Sequence, residues 1–294
     1  MIPAPLASEP WLSPARVAEI CGGRLIRGGR PARRVTTDSR AVRGDECFIA
    51  LPGERYDGHD FVAAAARLGA AGALIARPVP AVEGGAFLVL VDDTRQALRL
   101  LATEHRRKHA AKVVGITGSC GKTSTKDMLG EVLAAAMPTV ASPKSFNNDI
   151  GVPLTLFAIE PSTRAAVVEI GSNGPGEVER LARIARPDVA IVTCVAESHL
   201  QGLGTVEGVA KEKSALVSML REDGLAILNG DDPNVAAMAK ATVARKVFVR
   251  IDREADWFAT DVRFCGLGTT FLLQGGCRSR SRGSARTTCT TRSS

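Results

Sequence analysis

Short apolar runs alternate with segments of helical period from residue 112 onward. The runs KVVGIT, AAVVEIG, DVAIVTCV and GLAILN each contain at least four consecutive apolar residues, and amphipathic stretches such as PGEVERLARIARP and VEGVAKEKSALVSML lie between them. Uninterrupted apolar runs are typical of strands that are buried on both faces of a sheet. The alternation therefore predicts βαβ units in a mainly parallel sheet, with functional side chains at the carboxyl ends of its strands.

The first part of the chain shows the same alternation on a smaller scale. Residues 13–21 predict a short helix with Ser13 as its N-cap and Pro14 at its first position. Residues 38–76 predict a strand, a helix and a second strand, and residues 86–93 predict a further strand. A helix with a basic end, TRQALRLLATEHRRKHA, leads away from this module.

These patterns predict an α/β fold of two domains followed by a tail. We predict a small N-terminal α/β domain over residues 1–92 and a central domain with a mainly parallel sheet over residues 93–265. Residues 266–294 end in QGGCRSRSRGSARTTCTTRSS, which has no hydrophobic period and consists mostly of Arg, Ser, Thr and Gly. We therefore predict a disordered tail there. The length of 294 residues also fits about two domains.

The net charge of +7 suggests a nucleic-acid partner until its distribution is considered. Residues 277–294 carry five Arg and no acidic residue, so the preceding 276 residues hold 33 basic and 31 acidic side chains, a net charge of only +2. A nearly neutral body does not offer a phosphate-binding surface spread over the fold. We therefore expect no nucleic-acid partner.

The seven cysteines are scattered, with no Cys-x-x-Cys pair and no His at ligand spacing. This distribution argues against a zinc site or a disulfide framework and favours a reducing compartment. The N-terminus lacks a basic segment followed by an apolar run, and no stretch approaches the roughly 20 apolar residues of a membrane span. We expect a cytoplasmic monomer without membrane insertion.

The segment GITGSCGKTST, residues 115–125, lies between a predicted strand and a predicted helix. Backbone N–H groups in such a turn, with the positive end of the helix dipole, hold phosphate oxygens. Lys122 would reach the β- and γ-phosphates, and the Thr123 hydroxyl would contact Mg²⁺. The strict GxxxxGK[ST] pattern is not met, because Ile116 stands at its first position, so a Gly-rich turn without chemistry is the alternative. The predicted nucleotide-binding residues are Gly118, Ser119, Cys120, Gly121, Lys122, Thr123 and Ser124.

Polar side chains also follow the other predicted strands of the central domain. Glu169 lies near the end of AAVVEIG, where a carboxylate can coordinate Mg²⁺ beside bound phosphates. His199 follows DVAIVTCV, although imidazole is an unusual ligand for Mg²⁺. Lys211 and Lys213 fall on the next helix. Asn229 ends the run GLAILN, and Asp231 and Asp232 follow it. Each of these residues taken alone also fits a solvated strand end, a solvated helix face or a turn.

Together these residues resemble the Mur ligase family, the ATP-dependent amide-forming enzymes of peptidoglycan synthesis. The similarity extends from about residue 35 to about residue 270. TGSCGKTST resembles the family's phosphate loop, VVEIGSNGPGEVERL through AKEKSALV its central block, and LNGDD its adenine-side motif. DSRAVRGDECFIALPGERYDGHDF resembles the module that holds the UDP-sugar end of the substrate. The resemblance thus implies a UDP-substrate domain followed by an ATP-binding phosphate-loop domain.

The resemblance implies a role for each matching residue. Lys122 and Thr123 match the positions that contact phosphate and Mg²⁺, and Glu169 and His199 match the ligands of a second Mg²⁺. Lys213 matches the family's carbamylated lysine, an anion that helps to hold that metal, and Lys211 remains the alternative. Catalytic roles are implied for Lys122, Lys213 and His199. The remaining matches are Asn229 and Asp232 on the adenine side, Asn147 and Asn148 near the γ-phosphate and the substrate, and Asp38, Ser39 and Arg40 in the uridine-nucleotide module.

The segments SFNNDIGVPLTL and GSNGPGEVERL are most similar to family members that add D-alanyl-D-alanine to UDP-N-acetylmuramoyl-tripeptide. The implied reaction uses ATP and Mg²⁺. The terminal carboxylate of the tripeptide attacks the γ-phosphate, which gives an acyl phosphate and ADP, and the amine of D-alanyl-D-alanine then displaces phosphate. Whether the third residue of the tripeptide is diaminopimelate or lysine stays open.

The family pattern also includes a third, Rossmann-like domain after LNGDD, which we expect to be missing from this chain together with full activity. Back-translation of ARTTCTTRSS in a frame shifted by two bases permits Pro-His-Asn-Val-Tyr-Asn-Ala-Leu-Val. That peptide resembles the motif that opens the family's third domain, so we expect a frameshift near the end of the chain.

Two other functions remain open on the sequence. One is a non-catalytic module that binds a nucleotide or a UDP-sugar. The other is a ligase like folylpolyglutamate synthase, which shares the central domain, although the upstream DSR and DGH segments argue against it. Phosphate release in the presence of D-alanyl-D-alanine distinguishes the ligase from the binding module.

Overall fold

The computed structural model describes residues 11–80, 82–197, 200–265, 268–275 and 287–292. The α-helices within these residues are α1 Pro14–Cys21, α2 Val62–Arg67, α3 Thr94–Lys108, α4 Lys122–Ala134, α5 Gly151–Phe157, α6 Glu177–Ala185, α7 Leu200–Leu203, α8 Val206–Ser218 and α9 Pro233–Ala237. The strands are β1 Arg24–Arg27, β2 Arg34–Thr36, β3 Glu46–Ile49, β4 Gly72–Ile75, β5 Phe87–Leu90, β6 Lys112–Thr117, β7 Thr139–Ala141, β8 Ala165–Glu169, β9 Val189–Val192, β10 Leu225–Asn229, β11 Arg245–Ile251, β12 Trp257–Cys265, β13 Gly268–Gly275 and β14 Thr287–Arg292. None of the helices formed by the described residues is long and apolar enough to span a bilayer.

Local sequence determines where the first helices begin. The hydroxyl of Ser13 accepts a hydrogen bond from the N–H of Arg16, and Pro14 is the first residue of α1, as predicted. The carboxylate of Asp93 likewise accepts a hydrogen bond of 2.7 Å from the N–H of Arg95 at the start of α3. In each case a side chain satisfies a backbone N–H that has no partner within the helix.

The chain divides into two compact units, each made of two segments. The first unit contains residues 1–111 and 145–164, and the second contains residues 112–144 and 165–294. Helix α3 belongs to the first unit, where its Glu104 forms an ion pair of 2.9 Å with Arg16 of α1. The predicted boundary at residue 93 lies before α3, whereas these contacts join α3 to the unit that precedes it.

The first unit is built on a five-stranded sheet of order β1-β5-β4-β3-β2. Strands β2 to β5 are parallel, and β1 is antiparallel to β5 at the edge. Successive side chains of β3 enter different hydrophobic clusters: Cys47 and Ile49 lie in one, and Phe48 and the following Ala50 lie in the other. Both faces of this sheet are therefore covered, which explains its uninterrupted apolar runs.

The second unit contains a nine-stranded sheet of order β14-β13-β12-β11-β10-β9-β6-β8-β7. Strands β6 to β12 are parallel to one another, which confirms the predicted mainly parallel sheet. Strand β6 lies between β8 and β9, and β10 follows β9. The carboxyl ends of these four strands therefore lie side by side, and this edge carries the phosphate loop, Glu169 and Asn229.

Strands β13 and β14 lie within residues 266–294, where the sequence predicts a disordered tail. Leu272 and Leu273 of β13 are paired in antiparallel register with Thr288 and Thr287 of β14, and β13 pairs with β12. Threonine and apolar residues favour extended structure even where no alternation is evident, which is why the pattern did not predict these strands. The rest of the predicted tail, residues 266–267, 276–286 and 293–294, lies outside the described residues.

Candidate functional site

Two glycines shape the turn between β6 and α4. Gly118 has a φ of 152° and Gly121 a φ of 78°, conformations that side chains rarely adopt. A Cβ atom on Gly118 would also lie 1.9 Å from the Thr193 hydroxyl. Only glycine fits at position 118, so the conformation of this turn depends on that residue.

The turn is tied to the segment that follows β9. The N–H of Ser119 donates to the carbonyl of Cys194 at 2.8 Å. The Ser119 hydroxyl donates to the carbonyl of Ala196 at 3.0 Å and accepts from the N–H of Ala196 at 2.9 Å. The hydroxyl of Thr193 donates to the carbonyl of Cys120 at 2.5 Å. These bonds hold the loop in place before any ligand binds.

Helix α4 begins at Lys122, directly after the turn. No side chain among the described residues caps this helix, so the N–H groups of its first turn are available to an anion. The Lys122 ammonium folds back and donates to the carbonyls of Gly118 at 2.7 Å and Ser119 at 3.3 Å. Thr123 is half-buried and Ser124 is exposed in the same first turn. This arrangement suits the binding of phosphate groups.

Glu169 is the last residue of β8, next to the strand that leads into the phosphate loop. It pairs in parallel register with Ile116 of β6 and is only 1% exposed. Its backbone N–H donates to the hydroxyl of Ser142 at 3.1 Å. The structure thus brings a buried carboxyl group to the same sheet edge as the phosphate loop.

Burial distinguishes Lys213 from Lys211 on α8. Lys213 is 2% exposed, whereas Lys211 is exposed. Burial, helped by the positive charge of Lys122, lowers the pKa of Lys213 to about 8, although the carboxylate of Glu212 opposes this shift. Lys213 makes no hydrogen bond or ion pair with any residue that the structure describes. Lys213 therefore has an unusually large share of neutral amine near neutral pH.

Mg²⁺ prefers oxygen ligands, and the predicted ligands fit it only in part. Thr123 and Glu169 supply oxygen atoms, whereas an unmodified Lys213 supplies none. The fourth predicted ligand, His199, lies outside the described residues. Among the described residues, no group of three or more His, Cys, Asp or Glu side chains could hold a metal ion. A magnesium site here therefore needs phosphate oxygens or a carbamate on Lys213 to complete it.

Asn229 and Asp232, predicted on the adenine side, connect the ends of β9 and β10. The amide of Asn229 donates to the carbonyl of Thr193 at 2.8 Å. One carboxylate oxygen of Asp232 accepts from the N–H of Val195 at 2.7 Å, and the other caps α9 through the N–H of Asn234 at 2.9 Å. Both residues therefore support the segment that holds the phosphate loop.

The predicted uridine-nucleotide residues lie in the first unit. Asp38, Ser39 and Arg40 line a cavity of about 780 Å³, whose wall also includes Tyr56 and Phe61. The hydrogen bond from the Arg40 side chain holds the pKa of the Asp38 carboxyl below its usual value, and the two side chains form an ion pair of 2.9 Å. The cavity therefore combines aromatic surface with charged side chains.

Asn147 and Asn148 also lie in the first unit, apart from that cavity's lining. The Asn148 side chain accepts hydrogen bonds from the N–H groups of Ile150 at 3.2 Å and Gly151 at 2.9 Å, at the start of α5. Asn147 is half-buried. The geometry within this unit gives Asn148 a clear role in starting the helix.

Several residues at the site were missed from the sequence. Thr193 and Cys194 contact the phosphate loop, and Tyr56 and Phe61 line the first-unit cavity with their rings 6.3 Å apart. Two features of the sequence could have identified these residues. Thr193 and Cys194 directly follow a predicted parallel strand, and Tyr56 and Phe61 lie close together in a chain with only 4% aromatic residues.

Comparison with known proteins identifies similar families and folds. The model of the Mur ligase middle domain matches residues 116–279, and the model described as "Mur ligase family, catalytic domain" matches residues 32–106. The UDP-N-acetylmuramoyl-tripeptide–D-alanyl-D-alanine ligase of Bacillus subtilis (strain 168) is 43% identical over 241 residues, which cover 82% of this chain and 52% of the relative. This chain spans about half the length of the curated relatives it matches.

Solved structures agree with this similarity. MurF from Acinetobacter baumannii superimposes with a TM-score of 0.82 at 30% identity, over 94% of this chain and 60% of that chain. The MurF ligase from Thermotoga maritima, solved in complex with ADP, gives a TM-score of 0.73 at 28% identity, over 83% of this chain and 56% of that chain.

Proposed function

The chain belongs to the Mur ligase family, and from that premise we propose that it acts in the ATP-dependent addition of D-alanyl-D-alanine to UDP-N-acetylmuramoyl-tripeptide. The observation that carries the proposal is the phosphate loop. Its helix is uncapped among the described residues, its glycines are constrained and its lysine folds over the turn. The similarity to a curated ligase of that activity supports the choice of substrates.

In this proposal the second unit binds ATP. The N–H groups at the start of α4 hold phosphate oxygens, and the Lys122 ammonium leaves the carbonyls of Gly118 and Ser119 to meet the β- and γ-phosphates. The connections that Asn229 and Asp232 make to the segment after β9 keep the loop in position while it binds.

Mg²⁺ would be held by Thr123, Glu169, His199 and a carbamate on Lys213. When bound, it would neutralise phosphate charge during transfer. The buried, partly neutral Lys213 is suited to carbamylation, because the neutral amine is the form that attacks CO₂. Carbamylation replaces a cation with an anion, so the modified side chain supplies the oxygen ligands that the ammonium lacks.

The first unit would bind the uridine nucleotide of the acceptor. Tyr56 and Phe61 offer aromatic surface for a base, and Arg40, whose side chain is 88% exposed, offers a cation to phosphate. Ser39 adds a hydroxyl group to the lining of the same cavity. Asn147 and Asn148 are proposed to lie near the reacting end of the substrate.

We further propose that the reaction passes through an acyl phosphate. The tripeptide carboxylate attacks the γ-phosphate, ADP leaves, and the amine of D-alanyl-D-alanine displaces phosphate. This chain contributes the positioning of ATP and the neutralisation of charge by Lys122, which are the main demands of phosphoryl transfer.

Titration calorimetry with MgATP and with UDP-N-acetylmuramoyl-tripeptide tests the proposal directly. Both ligands are expected to bind, and each is expected to bind in the presence of the other. Failure of MgATP to bind would remove the nucleotide site from the proposal.

An assay for phosphate release then tests the chemistry. Release that depends on both the tripeptide substrate and D-alanyl-D-alanine supports the ligase. Binding of both ligands without any release means that these residues bind a nucleotide and a UDP-sugar but do not complete the reaction by themselves, which agrees with the activity expected from the sequence.

A further inference from the structure

Two free cysteines meet at the phosphate loop. Cys120 lies in the loop and is exposed, and Cys194 lies after β9 and is half-buried. Their sulfur atoms are 2.9 Å apart. The Cys194 sulfur also accepts a hydrogen bond from the Cys120 N–H at 3.3 Å and contacts the Cys120 carbonyl at 3.5 Å. A disulfide bond is about 2.05 Å long, so the sulfur atoms need to approach by only roughly 0.9 Å.

The backbone holds the two cysteines in this position. The N–H of Ser119 donates to the carbonyl of Cys194 at 2.8 Å, and the Thr193 hydroxyl donates to the carbonyl of Cys120. By contrast Cys47 is fully buried in the first unit, where burial raises the pKa of its thiol. Of Cys21, Cys47, Cys120 and Cys194, only the last two have sulfur atoms in hydrogen-bonding contact with each other, and Cys120 is exposed.

We propose that Cys120 and Cys194 form a reversible disulfide that fastens the phosphate loop to the end of β9. The oxidant is a peroxide. The Cys120 thiolate attacks a peroxide oxygen, which gives a sulfenic acid and, with hydrogen peroxide, one water molecule. The Cys194 thiol then attacks that sulfur and displaces the second oxygen as water. Overall two thiols and one hydrogen peroxide give one disulfide and two water molecules, and a dithiol reductant reverses the change.

The contact with Cys194 raises the pKa of the Cys120 thiol, and the charge of Lys122 opposes this only in part. Little thiolate is therefore present at neutral pH, and oxidation is slower than at an activated cysteine. The reaction responds to sustained peroxide rather than to brief exposure.

The disulfide is expected to weaken ATP binding, a consequence that rests on the proposed function. The Cys194 sulfur already occupies the Cys120 N–H, a donor that a bound phosphate would otherwise use. A covalent bond prevents that sulfur from withdrawing. Because coupling between two equilibria is reciprocal, bound ATP is also expected to slow formation of the disulfide.

Peptide mapping tests the disulfide without reference to nucleotide. The purified chain is treated with excess hydrogen peroxide, the remaining thiols are alkylated, and the digest is analysed by mass spectrometry. We expect a linked peptide that contains Cys120 and Cys194. The link should persist in Cys21→Ser, a control at a half-buried cysteine of the first unit, and disappear in Cys194→Ser. Alkylation of both Cys120 and Cys194 in the oxidised wild type, or pairing of Cys120 with another cysteine, would overturn the proposal.

Calorimetry with MgATP tests whether the disulfide weakens ATP binding. Oxidised wild-type protein should bind ATP roughly tenfold more weakly than reduced protein, and dithiothreitol should restore the affinity. Equal affinities would overturn the coupling between the disulfide and nucleotide. If the reduced protein does not bind ATP, the proposed function and the coupling both fail, and the peptide map alone decides the disulfide.

Discussion

Burial gives Lys213 a chemistry that Lys211 on the same helix does not have. Its pKa is lowered to about 8, chiefly by burial, so the amine that reacts with CO₂ is well populated near that pH. With ¹³C-bicarbonate, we expect a carbamate resonance in the ¹³C NMR spectrum of the wild type and of Lys211→Ala, and its absence in Lys213→Ala. Loss of the signal in Lys211→Ala alone would assign the carbamate to the other lysine.

The Lys122 ammonium is proposed to contact the phosphate groups of ATP, and its replacement tests that role. Its ammonium bonds only to loop carbonyls in the described structure, so Lys122→Ala should leave the unfolding midpoint nearly unchanged. Its loss removes a cation from the phosphate site and should weaken MgATP binding by roughly 10- to 100-fold in calorimetry. Lys246→Ala, at an exposed position of β11, is the matched control and should bind as the wild type does. Equal affinities for the two variants would contradict the assignment.

The sequence motif of the phosphate loop identifies the residues within the loop, but it does not identify the distant residues that contact the loop. The Gly, Lys and Thr of the loop were identified from their spacing, and the loop geometry supports their proposed role. Cys194, 74 residues further along the chain than Cys120, reaches the loop only because β9 pairs with β6. That pairing is a property of the sheet, which no local pattern records.

At the scale of elements, a distant side chain caps helix α6. The helix has no side-chain cap of its own, and the buried Glu212 of α8 accepts hydrogen bonds of 2.7 Å from the N–H groups of Gly176 and Val178. Glu212→Ala leaves these donors without a partner and should lower the free energy of unfolding by about 2 kcal/mol in urea denaturation. Glu179→Ala, on the exposed side of α6, should change it by less than about 0.5 kcal/mol. Similar losses in both variants would refute the capping role.

Helix α3 carries a buried histidine that makes the first unit sensitive to acid. His105 lies 2.9 Å from the carbonyl of Ile159 and contacts the rings of Trp11, His109 and Phe157. Burial, with a smaller effect from the charge of His109, lowers its pKa from 6.5 to about 4. Between these values the unfolded chain binds more protons. Neutral His105 therefore makes its full contribution to the free energy of unfolding above about pH 6.5. Up to about 3 kcal/mol of that free energy is lost as the pH falls to about 4.

Urea denaturation of the wild type and of His105→Gln at several pH values checks this expectation. Glutamine keeps an N–H donor for the carbonyl of Ile159 and does not titrate in this range. The variant should therefore show a smaller dependence of stability on pH than the wild type. Identical slopes in the two proteins would assign the acid sensitivity to other groups.

Elements with a strong apolar run were predicted from the sequence, and elements defined by distant partners were not. The parallel strands β3, β4, β5, β6, β8, β9 and β10 and the N-cap of α1 follow from local patterns, whereas β2, β7, β11 and β12 were not predicted. The amphipathic period of helix α3 predicts the helix itself. The unit to which the helix belongs is determined by its contacts with α1 and with Ile159, which the period does not reveal. Strands β13 and β14 depend on pairing with β12 and with each other, because threonine-rich segments carry little hydrophobic signal.

At the scale of the whole molecule, each unit has its own sheet and its own apolar core. The clusters around Ile49 and Phe48 lie in the first unit, and the cluster around Ile116 lies in the second. The candidate residues are divided in the same way. The cavity lined by Asp38 and Arg40 belongs to the first unit, and the phosphate loop belongs to the second.

This division predicts that two ligands protect different parts of the chain from hydrogen exchange. A ligand stabilises the closed state of the segments it contacts, so local opening becomes rarer there. MgATP should slow exchange at residues 118–125 and 193–196. UDP should slow it at residues 37–41 and 56–61, and Lys122→Ala should lose only the first effect. Protection of the first-unit cavity by MgATP, or of the phosphate loop by UDP, would contradict the assignment of one nucleotide site to each unit.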